Sequence, residues 1–201
     1  MTLAEINDEL GAARTNKKEF LEKLEAIIPW ETFLELIQPR YYKGELGNKP
    51  YPLELMLRIF ILQNVYNLAD MAVMNEVIDS RAFSNFCGIN SPSEVPDGDT
   101  IGRFRNILTR NGLQEKIFAA VVKILMERKL ILKKSGQYAA KKKEHQKSSV
   151  RCKVEHVFAV IKNIFRHRKT RHRGLRKQTA KLNIMFALAN LYLAARKSLT
   201  V

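Results

Sequence analysis

Residues 53–66 read Leu-Glu-Leu-Met-Leu-Arg-Ile-Phe-Ile-Leu-Gln-Asn-Val-Tyr, and this stretch decides the fold. In a helix, its apolar side chains fall on all sides and form no single stripe. A helix that is apolar all round belongs in a protein interior. The sequence therefore predicts a central helix, covered by the helices that precede and follow it.

Helical periodicity of apolar residues extends along most of the chain. An ordered loop rich in proline and glycine is expected over residues 39–52, and neither a series of strands nor an internal repeat is evident. The predicted fold class is mainly α. The helices expected around the central one cover residues 17–28, 31–37, 68–79, 81–86, 100–110, 113–132, 149–166 and 177–196.

Local signals predict where two of these helices begin or end. Gly88 is the expected C-cap of helix 81–86, because glycine readily takes the left-handed conformation found there. Asp99 or Thr100 is expected to cap the start of helix 100–110. In helix 149–166 we expect the inward residues to be Val150, Val154, Val157, Phe158, Ile161 and Phe165.

Charge is strongly segregated along the chain. Residues 133–201 hold 19 Lys and Arg against two acids, a balance of +17, whereas residues 1–132 have a balance of −2. Such asymmetry indicates a polyanionic partner for the C-terminal third, and nucleic acid is favoured over anionic lipid. An apolar content of 46% is enough for a core.

The chain is expected to be soluble and cytoplasmic, with no membrane partner. The longest apolar run, 184–195, is shorter than the ~18 residues that a membrane span needs. Two cysteines cannot form a disulfide framework, and the acidic N-terminus does not resemble a secretory leader.

One acidic residue, Glu155, lies between cations on a predicted helical face, with Arg151 four residues before it and Lys162 seven residues after it. On spacing alone, a ladder of surface charges is the favoured explanation, in which each pair contributes roughly 0.2–0.5 kcal/mol. The alternative is a carboxylate that binds a metal ion beside cations that contact phosphate, as in magnesium-dependent phosphoryl transfer on DNA.

The Arg-x(3)-Glu-x(6)-Lys pattern and its surroundings resemble the bacterial DDE transposases of the insertion-sequence four/five group. The block 148–158 resembles the surroundings of that family's catalytic Glu, which corresponds to Glu155. The family has a Tyr three positions before the Arg, where this chain has Ser148. Further segments resemble the family's N-terminal helical domain (52–66, 79–83 and 95–105) and its C-terminal tail (169–183 and 185–191).

The resemblance fails where the family's catalytic core should be. In the family, residues like 130–134 lead into a strand with the first catalytic Asp, and a second Asp follows. Here residues 133–201 contain no Asp, and the block around Glu155 follows Gly136 after about a dozen residues. An RNase H-like domain needs ~100–150 residues. The resemblance therefore implies an internally deleted transposase without the catalytic sheet.

This comparison implies three regions. Residues 1–132 would be an N-terminal helical domain that binds DNA ends, 133–148 a basic linker at the deletion point, and 149–201 a helical remnant of the catalytic domain. The last helices lack the sheet on which they would pack, so they must pack on each other, on the N-terminal helices or on a second chain.

The resemblance also sets expectations for metals. Intact members use Mg²⁺ held by several carboxylates, of which Glu155 alone remains. We therefore expect no cofactor and no metal site, and Glu155 is the ligand if a metal binds at all. We also expect that the chain does not cut or join DNA. Cys152 and His156 lie four residues apart, but no second pair at zinc-finger spacing exists, and zinc is not expected.

Candidate DNA contacts are of two kinds. Arg103, Asn106 and Arg110 share one face of helix 100–110, and a helix-turn-helix-like unit within 68–110 would present them to terminal inverted repeats; a solvated polar face is the alternative. The basic residues expected to contact phosphates are Lys141, Lys142, Lys143, Arg151, Lys162, Arg166, Arg168, Lys169, Arg171, Arg173, Arg176 and Lys177.

The favoured function is therefore that of a transposase-related DNA-binding protein, bacterial and associated with the nucleoid, that lacks catalysis. It would bind terminal inverted repeats or DNA of any sequence. Alternatively, it pairs with full-length transposase as an inhibitor or partner through helical oligomerisation, or it is a structural relic. A homo-oligomer is expected.

Four aromatic residues precede the central helix and have two possible roles. They would stack on bases or, preferably, pack on the central helix: Trp30, Tyr41, Tyr42 and Tyr51.

Overall fold

The structure is a computed structural model, and it describes residues 15–41, 49–128, 155–170 and 173–198. These residues form helices and connecting turns, and no strand occurs among them. The mainly α fold is confirmed. The linker 133–148, with Lys141, Lys142 and Lys143, and the residues Tyr42, Arg151, Cys152 and Arg171 lie outside the described residues.

Nine α-helices follow one another in the described residues. A 3-10 turn, Gln38–Arg40, ends the second helix ahead of the predicted loop, and another, Pro92–Glu94, precedes the sixth. The helices are α1 (Asn16–Ile27), α2 (Trp30–Ile37), α3 (Leu53–Val65), α4 (Asp70–Asp79), α5 (Arg81–Cys87), α6 (Gly98–Arg110), α7 (Leu113–Glu127), α8 (155–159) and α9 (Leu175–Ser198).

Helix α3 is the predicted central helix. Leu57, Ile59, Ile61 and Leu62 on it have no exposed surface. The neighbouring helices α2, α4, α5, α6 and α9 all pack against it. Even the polar Asn64 is buried, and its Nδ2 donates to the carbonyl of Phe60 at 2.7 Å, which satisfies the amide inside the core.

Arg58 is the cation on this central helix. Its guanidinium donates to Glu25 at 2.6 and 2.7 Å and to Glu54 at 2.8 Å, and it stacks on the Trp30 ring at 4.3 Å. Burial opposes the charge, but the hydrogen bonds from both carboxylates leave the pKa of Arg58 raised. Arg58 therefore ties α1 and α2 to the start of α3.

The predicted caps are half right. Gly88 ends α5 with φ 68°, the left-handed conformation that was expected. Helix α6, however, begins at Gly98, and its N-cap is Asp97, whose Oδ1 accepts from the backbone N–H of Thr100 at 2.6 Å. The prediction of Asp99 or Thr100 was wrong because Asp97 stands three residues before a free N–H, the spacing that N-capping requires.

The last helix packs on the N-terminal helices. Helix α9 lies along α7 and also contacts α1, α3 and α6. Ile184, Met185 and Leu188 are fully buried in this packing. The N-terminal helices thus cover the apolar face of α9. The resemblance implies that this face would pack on the catalytic sheet in an intact family member.

The helix predicted over 149–166 changes type part-way. Residues 155–159 are α-helical, and Val160–Ile164 form a π-helix, in which the N–H of Phe165 donates to the carbonyl of Val160. The wider turn shifts which side chains face inward. Val160, Ile161 and Phe165 are buried, whereas Phe158, predicted to face inward, is 43% exposed.

Candidate nucleic-acid interface

Helix α6 has the two faces that its sequence predicts. Ile101, Phe104 and Leu108 are buried. On the other side, Arg103 and Arg110 are exposed. Asn106 is half-buried. The exposed pair of arginines can reach a ligand in solvent.

An ion pair fixes the position of α6. Arg105, also on α6, donates through Nη1 to the carboxylate of Asp70 at the start of α4, and Gln63 of α3 donates to the same carboxylate. Gly98, at the start of α6, lies against Met71 of α4, where an added Cβ would come within 2.6 Å of the Sδ of that flexible side chain. Arg105 therefore positions the face that carries Arg103 and Arg110 and is itself engaged inside the bundle.

The start of α9 meets the end of α6. Arg176, in the first turn of α9, donates through Nη2 to the backbone carbonyl of Arg110 at 3.0 Å, although 66 residues separate them. Arg173 and Lys177 beside it are exposed. Two groups of residues that were predicted separately, on α6 and in the basic C-terminal segment, are therefore neighbours.

The electrostatics of this junction are unusual for a helix start. Arg176 and Lys177 occupy the first turn of α9, which has no acidic residue. The N-terminal end of a helix carries a partial positive charge, so cations there are unfavourable unless an anion is near. Backbone N–H groups and basic side chains at one helix end suit a phosphate group.

A buried polar contact holds the basic turn 166–170 against the bundle. The ammonium of Lys181, only 8% exposed, donates to Oδ1 of Asn67 at 2.7 Å, and Nδ2 of Asn67 donates to the carbonyl of Arg166 at 3.5 Å. Asn67 and Arg166 both have positive φ, 50° and 51°. Nothing in the sequence pattern singled out Asn67 or Lys181, because a lysine in a basic segment looks like every other one.

His167 lies in the same turn. Its Nδ1 is buried without a hydrogen-bond partner among the described residues. Burial, and to a smaller extent the charge of Lys181, lower the pKa of His167 below 6.5. The lowered pKa favours the neutral form of His167 within the basic turn 166–170.

The remaining predicted basic residues are accessible where the structure describes them. Arg166, Arg168 and Lys169 in the turn are exposed. Lys162 on the π-helix is exposed as well. These side chains are free of the core and available to a ligand.

Glu155, at the start of α8, is exposed. Nowhere in the described ranges do three or more His, Cys, Asp or Glu side chains come together in a metal-binding group. Asp70 is engaged with Arg105, and Asp97 caps α6. The described carboxylates do not fit a pair of magnesium ions, which need several oxygen ligands between them.

The described aromatic residues Trp30, Tyr41 and Tyr51 pack against the core, and Trp30 contacts the central helix through Arg58. Tyr42 lies outside the described residues. The Tyr41 hydroxyl donates to the carbonyl of Tyr51 at 2.7 Å, and its ring lies edge-on to Phe104. Trp30 packs beside Phe86 and donates through Nε1 to the carbonyl of Glu25. These contacts occupy the rings of Trp30 and Tyr41.

Two family models match this chain. The model described as "Transposase domain (DUF772)" matches residues 8–107, and the model described as "Transposase DDE domain" matches residues 92–191. The chain belongs to the DDE transposases of insertion sequences. Both halves of this truncated transposase thus have counterparts in the family, and membership of the four/five group stays a prediction. No solved structure matches the chain.

The transposase family normally uses Mg²⁺. The described part of this chain does not bring together the carboxylates to hold it. No helix among the described residues is both long enough and apolar enough to cross a membrane.

Proposed function

We propose that this truncated transposase binds DNA through one continuous basic surface and does not itself cut or join strands. The surface, called here the α6–α9 surface, consists of Arg103, Asn106, Arg110, Arg173, Arg176 and Lys177. The turn 166–170 would extend it. Transposases act on DNA. DNA is therefore the polyanionic partner that we infer from the positive charge of the C-terminal third.

The hydrogen bond from Arg176 to the carbonyl of Arg110 is the observation that supports this proposal most. It brings the N-terminal helices and the basic C-terminal segment to one place. Separately, α6 offers two exposed arginines and α9 a cationic helix start. Side by side, they provide charges over a surface wide enough for several phosphates, and affinity for DNA grows with the number of phosphates neutralised.

We infer the loss of DNA cleavage from the small number of carboxylates that remain to hold metal ions. Phosphoryl transfer by two metal ions requires both ions to be held beside the scissile bond. Glu155 is the acidic residue that remains in the family's C-terminal motif; it is exposed, and the sequence around it is otherwise cationic. A single carboxylate in such surroundings is too weak a ligand for two divalent ions.

The proposal is tested by measuring affinity for DNA that carries the terminal inverted repeats of an insertion sequence flanking this gene, against shuffled DNA of equal length. Phosphate contacts release counterions, so we expect log Kd to rise steeply and linearly with log salt concentration for both. A preference for the repeats would come from Asn106 and the arginines of α6. An affinity that does not change with salt would contradict the proposal.

A second candidate function is pairing with another transposase chain. Phe158 is 43%, Leu175 81% and Leu182 38% exposed, all on the C-terminal helices. Exposed apolar side chains on elements from a lost catalytic domain suit a helical interface with a second copy or with the full-length enzyme. Sedimentation velocity over a range of concentrations tests it, and a monomer at every concentration would rule out self-association.

A further inference from the structure

An open groove of about 930 Å³ lies between α1, the start of α3 and α5. Its apolar part includes Leu21, Leu55, Phe86 and Ile89. The groove lies at the N-terminal end of α3 and contains none of the residues of the α6–α9 surface. Its volume lies within the range of clefts that bind ligands in proteins.

Acidic side chains surround this apolar floor. Glu22, Glu25, Glu54 and Glu94 line the groove against two cations, Lys18 and Arg58. Arg58 is itself held by Glu25 and Glu54. Glu22 and Glu94 are exposed. The rim of the groove is therefore negative, which repels DNA and attracts a basic ligand.

The chain contains a ligand of matching chemistry. Segment 133–148 holds six lysines and one glutamate, a balance of +5, and Tyr138-Ala-Ala lies between its two groups of lysines. Segment 1–14, in contrast, holds three acids and one arginine, a balance of −2. Charge complementarity selects the first of these segments for an acidic rim, and its small apolar centre suits an apolar floor.

We propose that this groove binds the basic segment 133–148 of the chain. The lysines pair with the carboxylates of the rim, above all Glu22 and Glu94, while Tyr138 and its neighbouring alanines contact the apolar floor. Lys141, Lys142 and Lys143 are also predicted phosphate contacts. This consequence rests on the proposed function: where DNA contacts these lysines, DNA and the groove compete for them.

The experiment uses a fluorescently labelled peptide of residues 133–148 and the full chain carrying Lys141→Glu, Lys142→Glu and Lys143→Glu, which frees the groove of its own segment. Fluorescence anisotropy at low salt should show saturable binding. Adding Glu22→Lys to this chain should weaken binding roughly 3- to 10-fold, because one attractive charge becomes repulsive. Glu22→Gln should give a smaller loss.

The matched control is Glu35→Lys, at another exposed glutamate, on α2 outside the groove, with the same change in net charge. We expect it to bind the peptide as the parent chain does, and we expect a peptide of residues 1–14 not to bind. Circular dichroism checks that each variant is folded.

Three results would overturn the proposal: no binding of the 133–148 peptide, equal weakening by Glu22→Lys and Glu35→Lys, or binding of the 1–14 peptide with similar affinity. The assay contains no DNA. Its outcome is therefore independent of whether the α6–α9 surface binds DNA.

Discussion

Asn67 links the end of the central helix to the basic turn. Its side chain accepts from the buried ammonium of Lys181, and its backbone has a φ of 50°, which asparagine tolerates better than most residues. The contact with Lys181 cannot be recognised from the sequence, because it depends on a lysine 114 positions away. The residue is therefore part of the scaffold that presents the basic surface.

Replacing Asn67 separates these two properties. Asn67→Gly keeps the left-handed backbone and removes the acceptor of Lys181, so we expect a loss of about 1.5–3 kcal/mol in the free energy of unfolding. Asn67→Ala should lose about 1–2 kcal/mol more, because a Cβ is unfavourable at positive φ. Urea denaturation followed by circular dichroism measures both. Equal stability of Asn67→Gly and the parent would show that the contact with Lys181 contributes nothing.

We expect His167 to make the stability of the protein depend on pH. Its pKa is lower in the folded protein than its ordinary 6.5, so the unfolded chain binds a proton more readily. This contribution to stability is fully present above the ordinary value and is lost as pH falls through the lowered pKa of the folded state. We expect His167→Gln to reduce the fall in melting temperature between about pH 7.5 and pH 5.

The control for this prediction is Thr170→Ala, at an exposed position in the same turn that has no titratable group. It should leave the pH dependence of the melting temperature close to that of the parent chain. The same pH dependence in the parent and in His167→Gln would contradict the role assigned to His167.

At the scale of helices, the sequence predicted the existence of each helix better than its details. The pattern of apolar residues correctly identified α3 as buried on all sides, because the residues that show it are contiguous in the sequence. The cap of α6 was misplaced by two residues, since Asp97 and Asp99 both fit the local pattern and only the backbone path distinguishes them. The π-helix at Val160–Ile164 was missed because it depends on packing against other helices.

The two aspartates give a direct test of the α6 start. Asp97→Ala removes the bond to the Thr100 N–H and should lower the free energy of unfolding by about 0.5–2 kcal/mol. Asp99→Ala, two residues later in the first turn, removes the same charge without removing a cap. It should lower the free energy of unfolding by less than Asp97→Ala does. Thermal unfolding of both variants provides the comparison, and a larger loss for Asp99→Ala would argue against this cap.

At the scale of the whole molecule, the sequence alone predicted a basic C-terminal segment and a polar face on α6 but could not place them together. Their meeting depends on α9 packing along α7, and the hydrogen bond from Arg176 to the carbonyl of Arg110 is the contact that shows it. The basic residues themselves were found from charge counting. Their shared location required the structure.

Catalysis is also a property of the whole chain. We expect supercoiled plasmid carrying the inverted repeats to remain uncut with this protein and Mg²⁺, because the described carboxylates form no metal-binding group. The variant Glu155→Gln should behave in the same way. Nicked circles that require Mg²⁺ and disappear in Glu155→Gln would show that Glu155 does take part in cutting.

The salt dependence of DNA affinity in a pair of double variants tests the central claim most directly. Arg103→Ala with Lys177→Ala removes one charge from α6 and one from α9 while leaving the bond between Arg176 and Arg110 intact. If both residues contact phosphates, the slope of log K against log salt should become shallower by about 2, near 0.9 for each contact. Lys23→Ala with Lys123→Ala removes the same charge from exposed positions on α1 and α7 and should leave the slope unchanged. Equal slopes for the two double variants would contradict a DNA-binding surface formed by α6 and α9.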